Sequence, residues 1–394
     1  MLHKTSFSQF LHILICLVTA LLLPLFVSCS DSPEPEPAKS HRTVLVYMAA
    51  CNSLGSAGFD KLDLDEMQSA VRAGQLDGGR LLVFHAGTSG DYKLLEITPE
   101  EIVTLKMYNE NGEHSSVSAK FMSQVIDDTK RLAPADSYGL VLWSHGLGWL
   151  QNGIADDFAD GISSQSWGEE RGRTMNISSL AAALSGKNLD FVYFDCCYMA
   201  SVEVAYELRH VTPLIVASAI EIPADGMPYD RNIAPLFARP QADLVSAAKN
   251  TFDYYNVLSG DNRTCAMSVI STDGLDRLAE ISRQILASSS GRVPDGFTPQ
   301  RFMTEGRCWF FDMGHYYHAL TENCADSALA DSWDDALDNC IMYASATPRL
   351  WNRLDIEHHC GLSTYIPVEG DTSIKNYNTL KWYTDVVAPA ISAK

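Results

Sequence analysis

Two short segments hold residue types able to make and break covalent bonds: Ser144-His145-Gly146 and Asp195-Cys196-Cys197. A cysteine attacks as its thiolate, so it needs a base within hydrogen-bond reach. It also needs backbone N–H groups where a tetrahedral oxyanion will form. His145 meets the first need, taking the thiol proton and later protonating a leaving amine. The amides of Gly146 and Cys197 meet the second. Glycine at 146 and 148 leaves room for a substrate backbone, because neither position carries a Cβ. By themselves these residues leave two readings open. One is a Cys–His dyad; the other is a core or capping histidine and a buried, inert cysteine.

The flanking sequence predicts how the two segments are held. Thr43–Met48, Arg80–Phe84, Tyr138–Trp143, Asp190–Asp195 and Pro213–Ala217 are short apolar runs of strand length. Leu62–Ala73, Ala119–Leu132 (with Ser118 as cap), Ser178–Leu184 and Met199–Leu208 have helical spacing. Continuous apolar strands alternating with helices predict a mostly parallel sheet covered on both faces. Ligands bind such sheets beyond the carboxyl ends of the strands. His145 follows one strand and Cys197 closes the next, and a helix beginning near Met199 would add partial positive charge at the oxyanion. Between them, Gln151–Asn176 lacks periodicity and is expected to be a long functional or mobile loop. Beyond Arg239, helices are predicted at Gln241–Tyr254, Asp273–Ala287 and Asp331–Tyr343. Strand-like runs follow at Thr264–Ser271, Cys308–Phe311 and Leu362–Pro367.

Other constellations fail on spacing. His315 and His318 form an HxxH without the glutamate of a zinc protease helix, and His358-His359-Cys360 has no fourth ligand at a suitable distance in sequence. The ten cysteines include no CxxC pair that would announce a zinc site or a disulfide framework. A formal net charge of -20 repels phosphate backbones, so nucleic acid is excluded as a partner.

The N-terminus reads as an export signal. Lys4 precedes the apolar run Phe10–Val27, and Leu25-Phe26-Val27-Ser28-Cys29 resembles a bacterial lipobox. That resemblance implies cleavage before Cys29 and lipidation of its thiol. A transmembrane anchor is the alternative, which Pro24 and the terminal cysteine fit less well. Ser30–Pro37 is then an extended, acidic tether, similar to the export signal of surface lipoproteins in the Bacteroidetes. The expected organisation is a signal peptide over 1–28, a lipidated tether over 29–41, a catalytic domain over 42–238 and a C-terminal α/β extension over 239–394. The expected location is the outer membrane or cell surface, with the periplasmic face also open.

Trp143-Ser144-His145-Gly146-Leu147-Gly148-Trp149 resembles the His-Gly-x-Gly-Trp motif of the clostripain family of cysteine peptidases. Phe194-Asp195-Cys196-Cys197-Tyr198-Met199 is similar to that family's Asp-Ala-Cys-Leu-Met motif. Val202–Leu208, Val44–Ala50, Pro223–Tyr229 and Gly361–Pro367 extend the likeness from about Thr43 to the C-terminus. The resemblance implies a caspase-like α/β/α sandwich and a Cys–His dyad of Cys197 and His145. It further implies cleavage after Arg or Lys in protein or peptide substrates, by a monomer that needs no cofactor. Aligning the motifs makes Cys197 the nucleophile and Cys196 a replacement for alanine. Asp195 carries over as the acid facing the specificity pocket; its other reading is a strand-end cap on nearby amides.

Ser218 and Glu221 occupy the remaining substrate-binding positions, but with a departure. The family often has two acids after Ala-Ser, where this chain has Ala217-Ser218-Ala219-Ile220; Glu221 and Asp225 are the nearby substitutes. Met227 replaces a common tryptophan, and Cys51 replaces an aspartate. The resemblance also raises activation by cleavage after Arg171 or Arg173, and a calcium requirement served by the acids of the same loop, Asp156, Asp157, Asp160, Glu169 and Glu170, although Asp156–Asp160 does not follow an EF-hand pattern. The altered strand leaves a rival reading, an inactive surface binding protein.

Overall fold

The computed structural model describes residues 38–108, 114–150, 166–304, 306–367 and 374–392. The expected signal peptide, Cys29, the acidic tether to Pro37, and Asp156, Asp157 and Asp160 lie outside these residues. Among the described residues no helix is long and apolar enough to cross a membrane.

Nine strands form one sheet, in the order β12-β10-β9-β8-β5-β1-β2-β3-β4. They are β1 (Ser40–Ala49), β2 (Arg80–Ala86), β3 (Tyr92–Ile97), β4 (Ile102–Met107), β5 (Ala135–Trp143), β8 (Phe191–Asp195), β9 (Leu214–Ala217), β10 (Ala266–Ser271) and β12 (Ile341–Ala346). The centre, from β2 through β1, β5 and β8 to β9, is parallel. At one side β3 and β4 add antiparallel, and at the other β10 and β12 do the same. The segment beyond Arg239 therefore contributes strands to this sheet.

Alternation on β1 explains the layers. Leu45, Tyr47 and Ala49 point into one core with helices α3 (Ala119–Leu132), α4 (Ile177–Leu184), α5 (Val202–Leu208) and α8 (Leu275–Ser289). Val44, Val46 and Met48 point into a second core with α2 (Phe59–Arg72), α6 (Tyr229–Leu236) and α7 (Leu244–Asn256). A strand buried on both faces must be apolar throughout, which is why these runs show no polar alternation. The result is the α/β/α sandwich expected.

Four local expectations need correction. The helix after the cysteines starts at Val202, not Met199: Ser201 Oγ accepts the Val204 N–H, and residues 198–200 lie outside it, with Tyr198 N–H bonded to Ile220 O and Ala200 N–H to Ser218 O. The predicted helix Asp331–Tyr343 splits into α10 (Ala328–Asp338) and β12, because the chain turns at Asn339-Cys340 to pair with β10. Part of the expected loop is a hairpin of β6 (Trp167–Glu170) and β7 (Arg173–Met175), turning at Arg171 and Gly172 with φ of +52° and +79°. The strand expected at Cys308–Phe311 reduces to β11 (Phe311–Asp312), paired with β15 (Ser363–Thr364). A further hairpin, β13 (Arg349–Leu350) with β14 (Leu354–Asp355), precedes α-helical and coil segments of the C-terminus.

Candidate active site

Sheet register brings the two motifs together. Trp143 on β5 lies opposite Asp195 on the parallel neighbour β8. His145 and Cys197, each two residues further on, leave the sheet at the same edge. They line one cavity of about 680 Å3, with Ser53, Leu54, Gly146, Glu169, Asp195, Cys196, Tyr198, Glu221, Ile222, Ala224 and Trp351 also in its wall.

Cys197 is half-buried, and its Sγ accepts the Ile222 N–H at 3.4 Å. Burial pushes the thiol up to about 12, and the Glu221 carboxylate adds to the rise. Burial lowers the His145 imidazole, with Glu169 opposing. Both shifts favour a thiol and a neutral imidazole over an ion pair in the resting site. Among the described residues no hydrogen bond joins the two side chains; His145 Nε2 instead lies 2.8 Å from Ser53 Oγ. Ser53 opens the short helix α1 (Ser53–Ala57) at the end of β1.

Gly146 forms an isolated bridge with Trp167 on β6, flanked by bonds from Leu147 N–H to Ser166 O and from Gly168 N–H to His145 O. Neither bond uses the Gly146 amide, which stays available to a ligand. A Cβ at 146 would lie 2.7 Å from Cys197 O and 3.0 Å from Cys196 Sγ, so glycine is required for this approach. Tyr198, beside Cys197, is held at φ +62° while buried against Phe310, their rings stacked at 4.7 Å. A bulky residue in the left-handed region costs about 1–3 kcal/mol, so the packing of Phe310 fixes the turn that presents Cys197.

The acids differ in surroundings. Asp195 is buried and accepts the Met227 N–H at 2.8 Å and the Tyr229 O–H at 3.0 Å, so both oxygens hold the loop before α6. Burial raises its pKa, and likewise that of Asp63, which accepts the Trp143 indole N–H at 2.5 Å and feels the Asp195 charge. Glu221 accepts the indole N–H of Trp351, whose own backbone, at φ +48°, turns the β13–β14 hairpin into the cavity. Ser218 does not line the cavity. It is fully buried, its hydroxyl donating to Ile220 O and accepting the Ile220 N–H. Asp225 lies in a neighbouring acidic depression with Asp63, Asp65, Glu66 and Asp230.

The profile of the clostripain family matches residues 46–327, a span that contains both motifs. The chain belongs to the clostripain family. It is 30% identical to a C11 protease of Parabacteroides distasonis, solved as an inactive zymogen, with a TM-score of 0.76 over 89% of this chain and 99% of that one. It is 27% identical to a secreted C11 cysteine protease of Bacteroides thetaiotaomicron, solved with an irreversible peptide inhibitor, with a TM-score of 0.73 over 88% and 99%. No curated protein matches the chain. Clostripain-family membership and these two likenesses support a cysteine peptidase. Thiol chemistry requires no cofactor, and among the described residues no group of three potential ligands is placed to hold a metal ion.

Arg171 and Arg173 sit on the β6–β7 hairpin, their side chains exposed. Its anchor is Glu170, which accepts from Tyr92 Oη at 2.6 Å, Ser115 Oγ at 2.5 Å and the Ser116 N–H at 2.6 Å. Sequence reasoning missed Ser53, Glu169 and Trp351, which reach the cavity from distant segments and carry no local motif. Glycine at 172 and the αL-prone turn were the available signals for the hairpin.

Proposed function

We propose that Cys197 and His145 form the dyad of a cysteine endopeptidase that cuts after Arg or Lys. The thiol attacks the scissile carbonyl carbon while His145 takes its proton. The Gly146 and Cys197 amides receive the oxyanion, and His145 returns the proton to the leaving amine. Water, deprotonated by His145, then hydrolyses the thioester and restores the thiol. The observation that carries this reading is the β5–β8 register, with His145, Gly146 and Cys197 facing one cavity. The basic preference is supported by Asp195, Glu169 and Glu221 in the cavity wall. A cation there draws Asp195 toward its ionised form, against the burial that favours the neutral one.

The same proposal places lipidation at Cys29 on a monomeric surface lipoprotein, with the exposed hairpin residues Arg171 and Arg173 as sites of self-cleavage. An inactive binding protein is the second reading, favoured by the absence of a His145–Cys197 hydrogen bond in the resting state. Peptide reporters ending in Arg, Lys, Leu or Asp test both with the soluble chain from Ser32 onward. Cleavage after Arg or Lys that Cys197→Ala abolishes and Cys196→Ala spares is the expected result. No turnover of any reporter, with calcium or after tryptic nicking, would favour the binding protein.

A further inference from the structure

We infer that Ser53 is the positioning residue of His145, deciding which ring nitrogen serves the thiol; this rests on the proposed dyad. A neutral imidazole has one N–H and one lone-pair nitrogen. Ser53 Oγ lies 2.8 Å from Nε2, so Nδ1 is the nitrogen left for Cys197. If the hydroxyl donated to Nε2, the ring would present Nδ1–H to the thiol and could not take its proton. The working tautomer therefore has Nε2–H donating to Ser53 Oγ and the Nδ1 lone pair free. Once Nδ1 accepts the thiol proton, the same bond joins an imidazolium to the hydroxyl and strengthens roughly twofold. Ser53 in this way stabilises charge at the moment it appears on the ring.

The position of Ser53 is built. Asn52, buried, accepts the Leu54 and Gly55 amides at the start of α1. Its Nδ2 donates to Ala49 O at 2.8 Å, to Ser144 Oγ at 3.1 Å and to Glu169 O at 3.2 Å. One side chain thus ties the helix carrying Ser53 to the residue before His145 and to the hairpin residue facing it. Gly55 seats that helix: a Cβ there would fall 1.9 Å from Ala50 O. The charged groups facing His145 are Glu169 on β6 and, across the cavity, Asp195 and Glu221. Among the described residues none of these carboxylates hydrogen-bonds the ring, so the orienting role falls to the hydroxyl.

The test compares wild type, Ser53→Ala and Ser53→Thr in the full soluble chain. Reporter hydrolysis is followed from pH 4 to 9, and His145 is titrated by NMR in histidine-labelled Cys197→Ala with and without Ser53→Ala. Ser53→Ala should lower kcat roughly three- to tenfold, the worth of one such bond, with little change in KM. The acid limb and the His145 titration should both move to lower pH as the imidazolium loses its partner, and threonine should restore them. An unmoved His145 titration overturns the inference. So does a Ser53→Ala enzyme with unchanged or increased kcat, the latter making the bond a restraint on the ring. If wild type hydrolyses nothing yet Ser53→Ala still lowers the His145 titration, the orienting bond stands and the peptidase dyad falls.

Discussion

Iodoacetamide should find Cys197 a slow target in the resting protein. With the thiol pushed up to about 12 by burial and Glu221, only about one molecule in 30,000 carries the thiolate at pH 7.5. A free cysteine near 8.5 has about one in ten. The higher basicity of the buried thiolate recovers part of that difference, since nucleophilicity rises with a Brønsted slope of about 0.4–0.5. The net handicap is roughly 50- to 100-fold. Second-order alkylation rates, followed by peptide mapping in the Cys196→Ala variant so that only one thiol on the peptide reacts, should show it directly. The rate should climb about tenfold per pH unit from 7 to 10 without levelling. Glu221→Gln should speed alkylation several-fold, by roughly a factor of ten at most for a partly exposed charge. A peptide alkylator should react far faster than iodoacetamide at equal pH, because a bound carbonyl and the His145 base replace the missing preformed thiolate. A Cys197 rate at or above that of free cysteine, with a plateau near neutral pH, would refute the neutral resting pair.

Three further outcomes follow from the same geometry. Gly146→Ala places a Cβ 2.7 Å from the Cys197 carbonyl oxygen; kcat should fall about 100-fold or more as the oxyanion amide shifts, with a stability loss of about 1–3 kcal/mol read from thermal melts. Asp63 and Asp195 have raised pKa values through burial, so their contribution is full below the ordinary carboxylate range, about 4, and is lost as pH rises through the raised values. Asp63→Asn should accordingly raise the melting temperature more at pH 9 than at pH 5; equal shifts at both would count against buried ionisation. For Glu170 burial raises the pKa, but bonds from Ser115, Tyr92 and Ser116 outweigh it and the net shift is down. Its stabilisation is present above about pH 4 and fades below, and Glu170→Ala should cost about 3 kcal/mol and open the hairpin to proteolysis at Arg171.

The meeting of the His and Cys motifs at one sheet edge was legible because it depends on short-range pattern. The runs Val44–Ala49 of β1, Leu140–Trp143 of β5 and Phe191–Phe194 of β8 are unbroken apolar stretches, and the His and Cys motifs begin where the last two stop, so parallel pairing alone places them together. Elements that fail locally were not legible. Ile341–Tyr343 continues helical spacing, and only pairing with β10 makes it strand. Met199–Ser201 looks helical, yet bonds to Ser218 and Ser363 keep it out of the helix until Ser201 caps α5. The hairpin at 167–175 depends on Glu170 meeting Tyr92 and Ser115, contacts of 78 and 55 positions' separation. Ser53 and Trp351 enter the cavity only through such long-range placement. Ser218, chosen by alignment, faces inward because its hydroxyl closes a turn on Ile220.

The stitching of the Cys197 turn sets an order of assembly during synthesis. Ala200 O, three residues past Cys197, accepts the Ser363 N–H, and Glu203 accepts the Tyr365 N–H from 162 positions away. A chain emerging from the ribosome carries His145 and Cys197 long before it carries these braces. Until Ser363 and Tyr365 have been made and have returned to the sheet edge, the cysteine lacks its final support. The proposed peptidase is thus the least competent to cut while it is nascent and its own unfolded segments are nearest at hand.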